Sequence, residues 1–116
     1  MRQRYILTKT IDMGIGIDIV KISRINNPDT FKNAILSNKE IVLYDKAIKK
    51  EEFLAGRFAA KEAFMKATEL GMKIPFKEIE ILYRVSGSPY IAYKDKEYEL
   101  SIAHDGDYAV AIAKYE

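Results

Sequence analysis

The sequence predicts an α+β fold: an N-terminal strand, short helices and one long helix, packed on a mostly antiparallel sheet. Two observations carry this. The middle of the chain, up to Gly71, reads as helices, and after Pro75 the periodicity turns to two. Helices first and strands later favour segregated α+β over alternating units.

The elements follow in order. Tyr5-Ile6-Leu7-Thr8 and Ile15 to Val20 read as strands. On the second, Gly14, Gly16 and Asp18 share one face, because side chains alternate along a strand. Ile15, Ile17 and Ile19 are expected to fill the opposite face and anchor the strand in the core. Two glycines beside Asp18 leave room for a bulky ligand. Ile22 and Ile25, followed by Asn26-Asn27-Pro28-Asp29, predict a short helical turn and then a break. Thr30 is the expected cap of a second short helix holding Phe31, Ala34, Ile35 and Leu36. Ser37-Asn38-Lys39-Glu40 has the capping-box pattern ahead of Ile41, Val42, Leu43 and Tyr44. The long helix is expected from about Lys49 to Glu69, with Gly71 as its C-cap. Gly56 lies inside it. Glycine there costs up to about 1 kcal/mol relative to alanine, and close packing supplies a reason for it.

Beyond Pro75, Ile79, Ile81 and Tyr83 alternate with charged residues. Ser86-Gly87-Ser88-Pro89 forms a hairpin turn into Tyr90-Ile91-Ala92-Tyr93, and Tyr93 to Glu97 makes a tight charged turn. Tyr98 to Ile102 and Tyr108 to Ala113 are expected to pair across Asp105-Gly106-Asp107. That turn lacks the remaining ligands of a calcium loop. Ala109, Ala111 and Ala113 make one face of the last strand small. The face is open to two readings, close approach of another protomer or helix, or simple core filling.

Composition bounds the rest. The chain of 116 residues reads as one domain, 1–116, and residues 1–12, ahead of Met13, are open to two readings, native start or N-terminal extension. No apolar run nears 18 residues, and the start lacks the pattern of a signal peptide. A cytoplasmic location with no membrane contact is therefore expected. The absence of cysteine excludes disulfides and thiolate metal sites, and one histidine excludes multi-histidine zinc sites within one chain. The net charge of +2 is unevenly spread. Residues 1–50 carry 10 Lys/Arg and 5 Asp/Glu, net +5, and residues 51–116 carry 9 and 12, net −3. A basic N-terminal half suits an acidic partner, and equally a solvated lysine-rich surface.

The chemistry centres on one carboxylate on a short strand, Asp18, and a second on the long helix, Glu62, with Lys66 one turn further on. Residues four apart on a helix are separated by about 40° in azimuth and roughly 6 Å along the axis. Glu62 and Lys66 therefore project from one face, with Phe58 a turn earlier on the same stripe. Hard cations such as Mg²⁺ take one or two carboxylates and complete their shell with water and substrate phosphate. The set suits a divalent cation holding a pyrophosphate, with a lysine for the phosphate oxygens. Glu62–Lys66 also has the favourable order of an ordinary surface ion pair, and an Asp ending a strand also serves as a turn residue. His104, at a strand end beside a turn, reads either as a surface residue or as a phosphate or nucleotide contact.

The flanking residues add a resemblance. Gly16-Ile17-Asp18-Ile19-Val20, with Ile22, Arg24 and Ile25, resembles the N-terminal signature of holo-acyl-carrier-protein synthases, a family of 4′-phosphopantetheinyl transferases. Phe53-Leu54-Ala55-Gly56-Arg57-Phe58-Ala59-Ala60-Lys61-Glu62-Ala63-Phe64, continued by Lys66-Ala67, is similar almost residue for residue to their central helix. Ser101-Ile102-Ala103-His104, followed by Tyr108-Ala109-Val110-Ala111, resembles their C-terminal hairpin. The blocks stand in family order and cover nearly the whole chain from Met13. The chain departs from the pattern at Ala103 and Asp105, where the family has Ser or Thr and Thr. The stretch between Asp18 and Phe53 is shorter than usual, and a short helix before the last hairpin is missing.

The resemblance implies a 4′-phosphopantetheinyl transferase-like fold. It implies transfer of 4′-phosphopantetheine from coenzyme A to a serine of apo acyl carrier protein in fatty acid biosynthesis, releasing adenosine 3′,5′-bisphosphate. On that basis Asp18 and Glu62 hold Mg²⁺, or Mn²⁺ in its place, on the CoA pyrophosphate. Glu62 is the candidate general base, through a water. Lys66 stabilises or protonates the leaving phosphate and contacts the cofactor. Arg57, Pro89 and His104 are candidates for the nucleotide end, and Arg24 for contact with the acidic carrier protein. A homotrimer, with CoA in clefts between neighbours, is likewise implied, and no nucleic-acid partner. Two other classes stand beside this. One is a small basic RNA-binding module using the Lys46 to Lys50 cluster with Lys61 and Lys66. The other is an inactive interaction domain with the same fold.

Overall fold

The computed structural model describes residues 13–68 and 73–116. Six strands form two antiparallel sheets of three, β1-β6-β5 and β2-β3-β4. Strand β1 (Gly14–Lys21) leads through a 3₁₀ turn (Ile22–Arg24) to helices α1 (Pro28–Ile35), α2 (Asn38–Lys46) and α3 (Lys50–Ala67). A second 3₁₀ turn (Phe76–Glu78) precedes β2 (Glu80–Tyr83), β3 (Pro89–Tyr93), β4 (Lys96–Tyr98), β5 (Leu100–Asp105) and β6 (Tyr108–Tyr115). The predicted strand at Tyr5–Thr8 and the Gly71 cap lie outside the described residues.

The first sheet reverses the expectation for its isoleucines. Gly14, Gly16 and Val20 are buried, whereas Ile15, Ile17 and Ile19 are 70%, 58% and 61% exposed. The reason is how closely α3 approaches. A Cβ built on Gly16 would stand 1.8 Å from the Ala63 carbonyl oxygen and 2.7 Å from the Ala67 amide nitrogen. Only the glycine face admits the helix, so the isoleucines turn outward. The neighbouring strand matches: Gly16 pairs with Ala113, Asp18 with Ala111 and Val20 with Ala109, and all three alanines are buried. Of the two readings of that small face, it is the intramolecular helix that approaches it. Ile17 pairs across the sheet with Ile112, itself 45% exposed, on the uncovered face.

Helix α3 is buried nearly all round, which explains its run of alanines (Ala55, Ala59, Ala60, Ala63, Ala67). Phe64 joins the two sheets, meeting Tyr93, Tyr98 and Tyr115, while Phe58 sits between Phe31 and Phe76. At Gly56 β5 presses close, since a Cβ there would lie 3.1 Å from His104 Nε2 and 3.3 Å from Ile102 Cγ2.

One cap differs from expectation and one holds. Helix α1 begins at Pro28, with Asn27 as N-cap, so Thr30 lies inside it. Proline at the first helical position lacks an N–H that would go unbonded there in any case, so Asn27-Pro28 starts a helix instead of ending one. The Ser37–Glu40 capping box forms in full: Ser37 Oγ accepts from the Glu40 amide, and Glu40 Oε1 accepts from the Ser37 amide. Lys94 and Asp95 both have positive φ, 48° and 64°, as a two-residue primed hairpin turn requires.

Candidate active site

The close contact at Gly16 builds the site. Asp18 lies two residues along the same strand face, and Ala63 and Ala67, which press on Gly16, directly follow Glu62 and Lys66 on α3. Strand and helix are therefore held where their polar residues meet. Lys66 Nζ donates to Asp18 Oδ1 at 3.2 Å and to the Ile17 carbonyl at 3.0 Å. Among the described residues Lys66 is paired with Asp18, so the bland reading of a Glu62–Lys66 surface pair does not hold. Asp18 is half-buried and the Lys66 ammonium is open to solvent, as a site that admits a ligand requires.

No group of three or more His, Cys, Asp or Glu that could hold a metal occurs among the described residues. A cation held by Asp18 and Glu62 would take two carboxylates from this chain and fill its remaining positions with water and substrate oxygens. That is a poor set for zinc and a fitting one for Mg²⁺, which keeps waters and takes substrate phosphate oxygens.

A cleft of about 350 Å³ opens further along α3. Pro89 and His104, both named from sequence, line it with Gly56, Phe53, Tyr83 and Lys49. The step from Gly56 to Glu62 is about 9 Å along the helix axis at 1.5 Å per residue, a spacing on the scale of a nucleotide. Arg57 forms part of the wall, but it is only 3% exposed and its guanidinium is engaged inward. It donates to the Ile81 carbonyl at 3.0 Å, stacks 3.8 Å from the Phe53 ring centroid and stands 3.5 Å from Glu40. Arg57 shapes the cleft from behind.

Arg24 lies apart from this cleft, exposed at the end of the first 3₁₀ turn and beside a shallow hollow with Ile25 and Phe31. The Asp105–Asp107 turn supports it. Asp107 accepts the Ile22 amide at 2.7 Å through its carbonyl and the Ser23 amide at 3.1 Å through Oδ1. Two of the lysines of the RNA-binding reading are engaged elsewhere. Lys61 is fully buried, and Lys50 caps the end of α2 by donating to the Tyr44 and Ala47 carbonyls.

Sequence reasoning passed over Glu40 and Lys61 as interior residues. Lys61 Nζ donates to Glu40 Oε1 at 2.6 Å, to the Phe76 carbonyl at 3.0 Å and to the Ile35 carbonyl. Burial pulls the Lys61 ammonium below the ordinary lysine value, and the Glu40 carboxylate opposes that pull. The capping-box spacing marked Glu40 as a helix-start residue but carried no sign of its second partner. The cleft residues Lys49, Phe53 and Gly56 share a helical stripe, a pattern that periodicity alone could have supplied.

Known proteins resemble this chain over most of its length. A family model described as the 4′-phosphopantetheinyl transferase superfamily matches residues 14–113. A holo-[acyl-carrier-protein] synthase of Petrotoga mobilis is 40% identical over 114 residues, covering 86% of this chain and 92% of its own. One from Oceanobacillus iheyensis is 42% identical over 108 residues, covering 84% and 91%. A solved holo-(acyl-carrier-protein) synthase from Bacillus anthracis, in complex with CoA (3′,5′-ADP), superposes with a TM-score of 0.78 at 38% identity, over 88% of this chain and 94% of that one. The Helicobacter pylori synthase in complex with coenzyme A gives 0.76 at 32% identity, over 88% and 99%.

Proposed function

The chain belongs to the 4′-phosphopantetheinyl transferase superfamily and is an enzyme of that class; we propose that it acts as one domain and moves 4′-phosphopantetheine from coenzyme A to a serine of apo acyl carrier protein, with Mg²⁺ held by Asp18 and Glu62. The observation that carries the reading is the meeting of Asp18 and Lys66 at 3.2 Å, with Glu62 one turn away on the helix that also walls the cleft. The serine Oγ attacks the β-phosphorus, the phosphorus–oxygen bond to the adenosine bisphosphate breaks, and the serine proton leaves. The nucleophile belongs to the partner, so the chain needs none of its own. When bound, Mg²⁺ supplies charge neutralisation on the pyrophosphate. Glu62 takes the serine proton through a water. Lys66, whose ammonium is open to solvent, turns from Asp18 to the leaving phosphate, where negative charge grows. Pro89 and His104 hold the nucleotide end of CoA against the cleft, and the buried Arg57 keeps its wall in place. Arg24 meets the acidic carrier.

The uncovered isoleucine face supports assembly with further copies of the chain, which we read as a homotrimer. Ile15, Ile17, Ile19 and Ile112 present a contiguous apolar surface of the kind that marks an interface. No described helix is long and apolar enough to cross a membrane.

The test is to incubate the protein with CoA, Mg²⁺ and apo carrier protein and weigh the carrier. A gain of one phosphopantetheine is expected. Asp18→Ala, Glu62→Ala and EDTA should each abolish it while the fold survives. Transfer that persists without divalent metal would remove the metal assignment, and no transfer with any carrier would remove the reaction.

A further inference from the structure

One buried side chain connects the parts of the site without touching a substrate. Glu40 is fully buried at the start of α2, and its carboxylate has four neighbours. Oε1 accepts from the Ser37 amide and from Lys61, Oε2 accepts from the Ile81 amide at 3.0 Å, and Arg57 Nε stands 3.5 Å away as an ion pair. The carboxylate is fixed to α2 and β2 and grips α3 at two positions one turn apart.

We infer that Glu40 is a positioning residue for the transfer site: through Lys61 it sets the rotation of α3 about its own axis, and with it the placement of Glu62 and Lys66. The inference rests on the transferase reading above. Successive helical residues are about 100° apart, so Lys61 and Ala63 face nearly opposite ways and Glu62 lies between them. Ala63 is pinned to β1 by the Gly16 contact. Lys61 is pinned on the far side to Glu40, Ile35 and Phe76. All three ammonium protons have acceptors, so this side chain has no freedom to swivel. A rotation of about 15° at a side-chain radius of roughly 6 Å sweeps about 1.6 Å. Active-site groups tolerate only about 0.5 Å. An apolar pair would fill the same volume, but it would not fix an angle, which needs directed bonds.

The experiment uses Glu40→Gln, which keeps the shape and removes the charge, and Glu40→Asp, which keeps the charge and withdraws it from Lys61. Both are studied where circular dichroism shows them folded. Turnover should fall about 10-fold or more, and half-saturating Mg²⁺ should rise several-fold. By calorimetric titration of CoA with Mg²⁺ and with EDTA, the gain in CoA affinity from Mg²⁺ should shrink. The apparent KM for carrier should not move, because Arg24 lies elsewhere. Folded variants with a lower melting temperature but wild-type turnover and metal dependence would overturn the inference. So would failure of both variants to fold, which would make the pair a folding requirement. Wild-type protein that transfers nothing refutes the transferase reading instead, whereas active wild type with indifferent Glu40 variants refutes only the positioning role.

Discussion

Gly16→Ala should disable the site without altering any polar atom in it. The new methyl would lie 1.8 Å from the Ala63 carbonyl oxygen, 2.7 Å from the Ala67 nitrogen and 2.9 Å from the Ala63 carbonyl carbon. All three obstacles are backbone, so no side chain can rotate away, and β1 and α3 must part by more than about 1 Å to restore van der Waals distance. The Lys66–Asp18 bond, 3.2 Å in the native protein, then stretches beyond hydrogen-bonding range. Overpacking of this kind costs about 1–3 kcal/mol, occasionally more. At about 4–8 °C per kcal/mol for a domain near this size, the melting temperature should drop by roughly 10 °C. A misplacement of about 1 Å costs on the order of 10²-fold in rate. The assay is turnover of apo carrier, followed by mass, at a temperature where the variant is folded, beside its thermal melt. A variant with native melting temperature and turnover would refute the reasoning, because it would show that the helix and strand do not need this approach.

Lys66→Ala should lower kcat by about 10²–10³-fold while the CoA constant changes less, since charge on the leaving phosphate peaks in the transition state. Near-normal turnover would reduce Lys66 to a surface partner of Asp18, worth about 0–1 kcal/mol. Arg24→Glu should raise the apparent KM for carrier and leave that for CoA unchanged, and wild-type activity should fall with added salt. An unmoved carrier constant would take Arg24 out of the docking surface. Tyr44 is pushed up to about 12 by burial and by its hydrogen bond to Asp29. Above pH 10 the unfolded chain loses this proton while the native protein keeps it, so stability falls as pH rises from 10 to 12. Tyr44→Phe should flatten that part of the slope in denaturant titrations at pH 9, 10 and 11, and an unchanged slope would place the alkaline loss elsewhere.

The parts of the fold that were legible in sequence rest on local chemistry. The Ser37–Glu40 box, the hairpin turns at Gly87 and Gly106 and the long helix each depend on neighbouring residues, and each formed where expected. The start of α1 misled because Asn27-Pro28 reads equally as a break and as a helix entry, and only the packing of Phe31 on Phe58 decides between them. The long-range half of the site was legible as a set of residues, Asp18 with Glu62 and Lys66, but not as contacts. The spacing of Glu62 and Lys66 places both on one face, but nothing local announces that Asp18 is the partner. Likewise, no spacing rule connects Lys61 with Glu40, twenty-one residues earlier.

The isoleucines of β1 show where hydrophobicity alone fails as a guide. A strand with isoleucine on one face and glycine on the other would bury the isoleucines if the only gain were apolar area, roughly 25 cal/mol per Å². It does the reverse because a helix can come within backbone contact of the glycine face. There Ala63 and Ala67 pack against main chain, and the contact brings Lys66 within hydrogen-bonding distance of Asp18. An isoleucine face would hold the helix off by the depth of its side chains, and the lysine would not reach Asp18. The apolar area left outside is then available for assembly. On the proposed trimer, the side that sets the catalytic spacing and the side that joins protomers are opposite faces of one eight-residue strand. Ile17→Lys should therefore break the assembly, seen as a fall in solution mass. The Lys66–Asp18 bond lies on the other face, so any activity lost must follow the lost assembly. A variant that stays fully assembled would show that this face is not the interface.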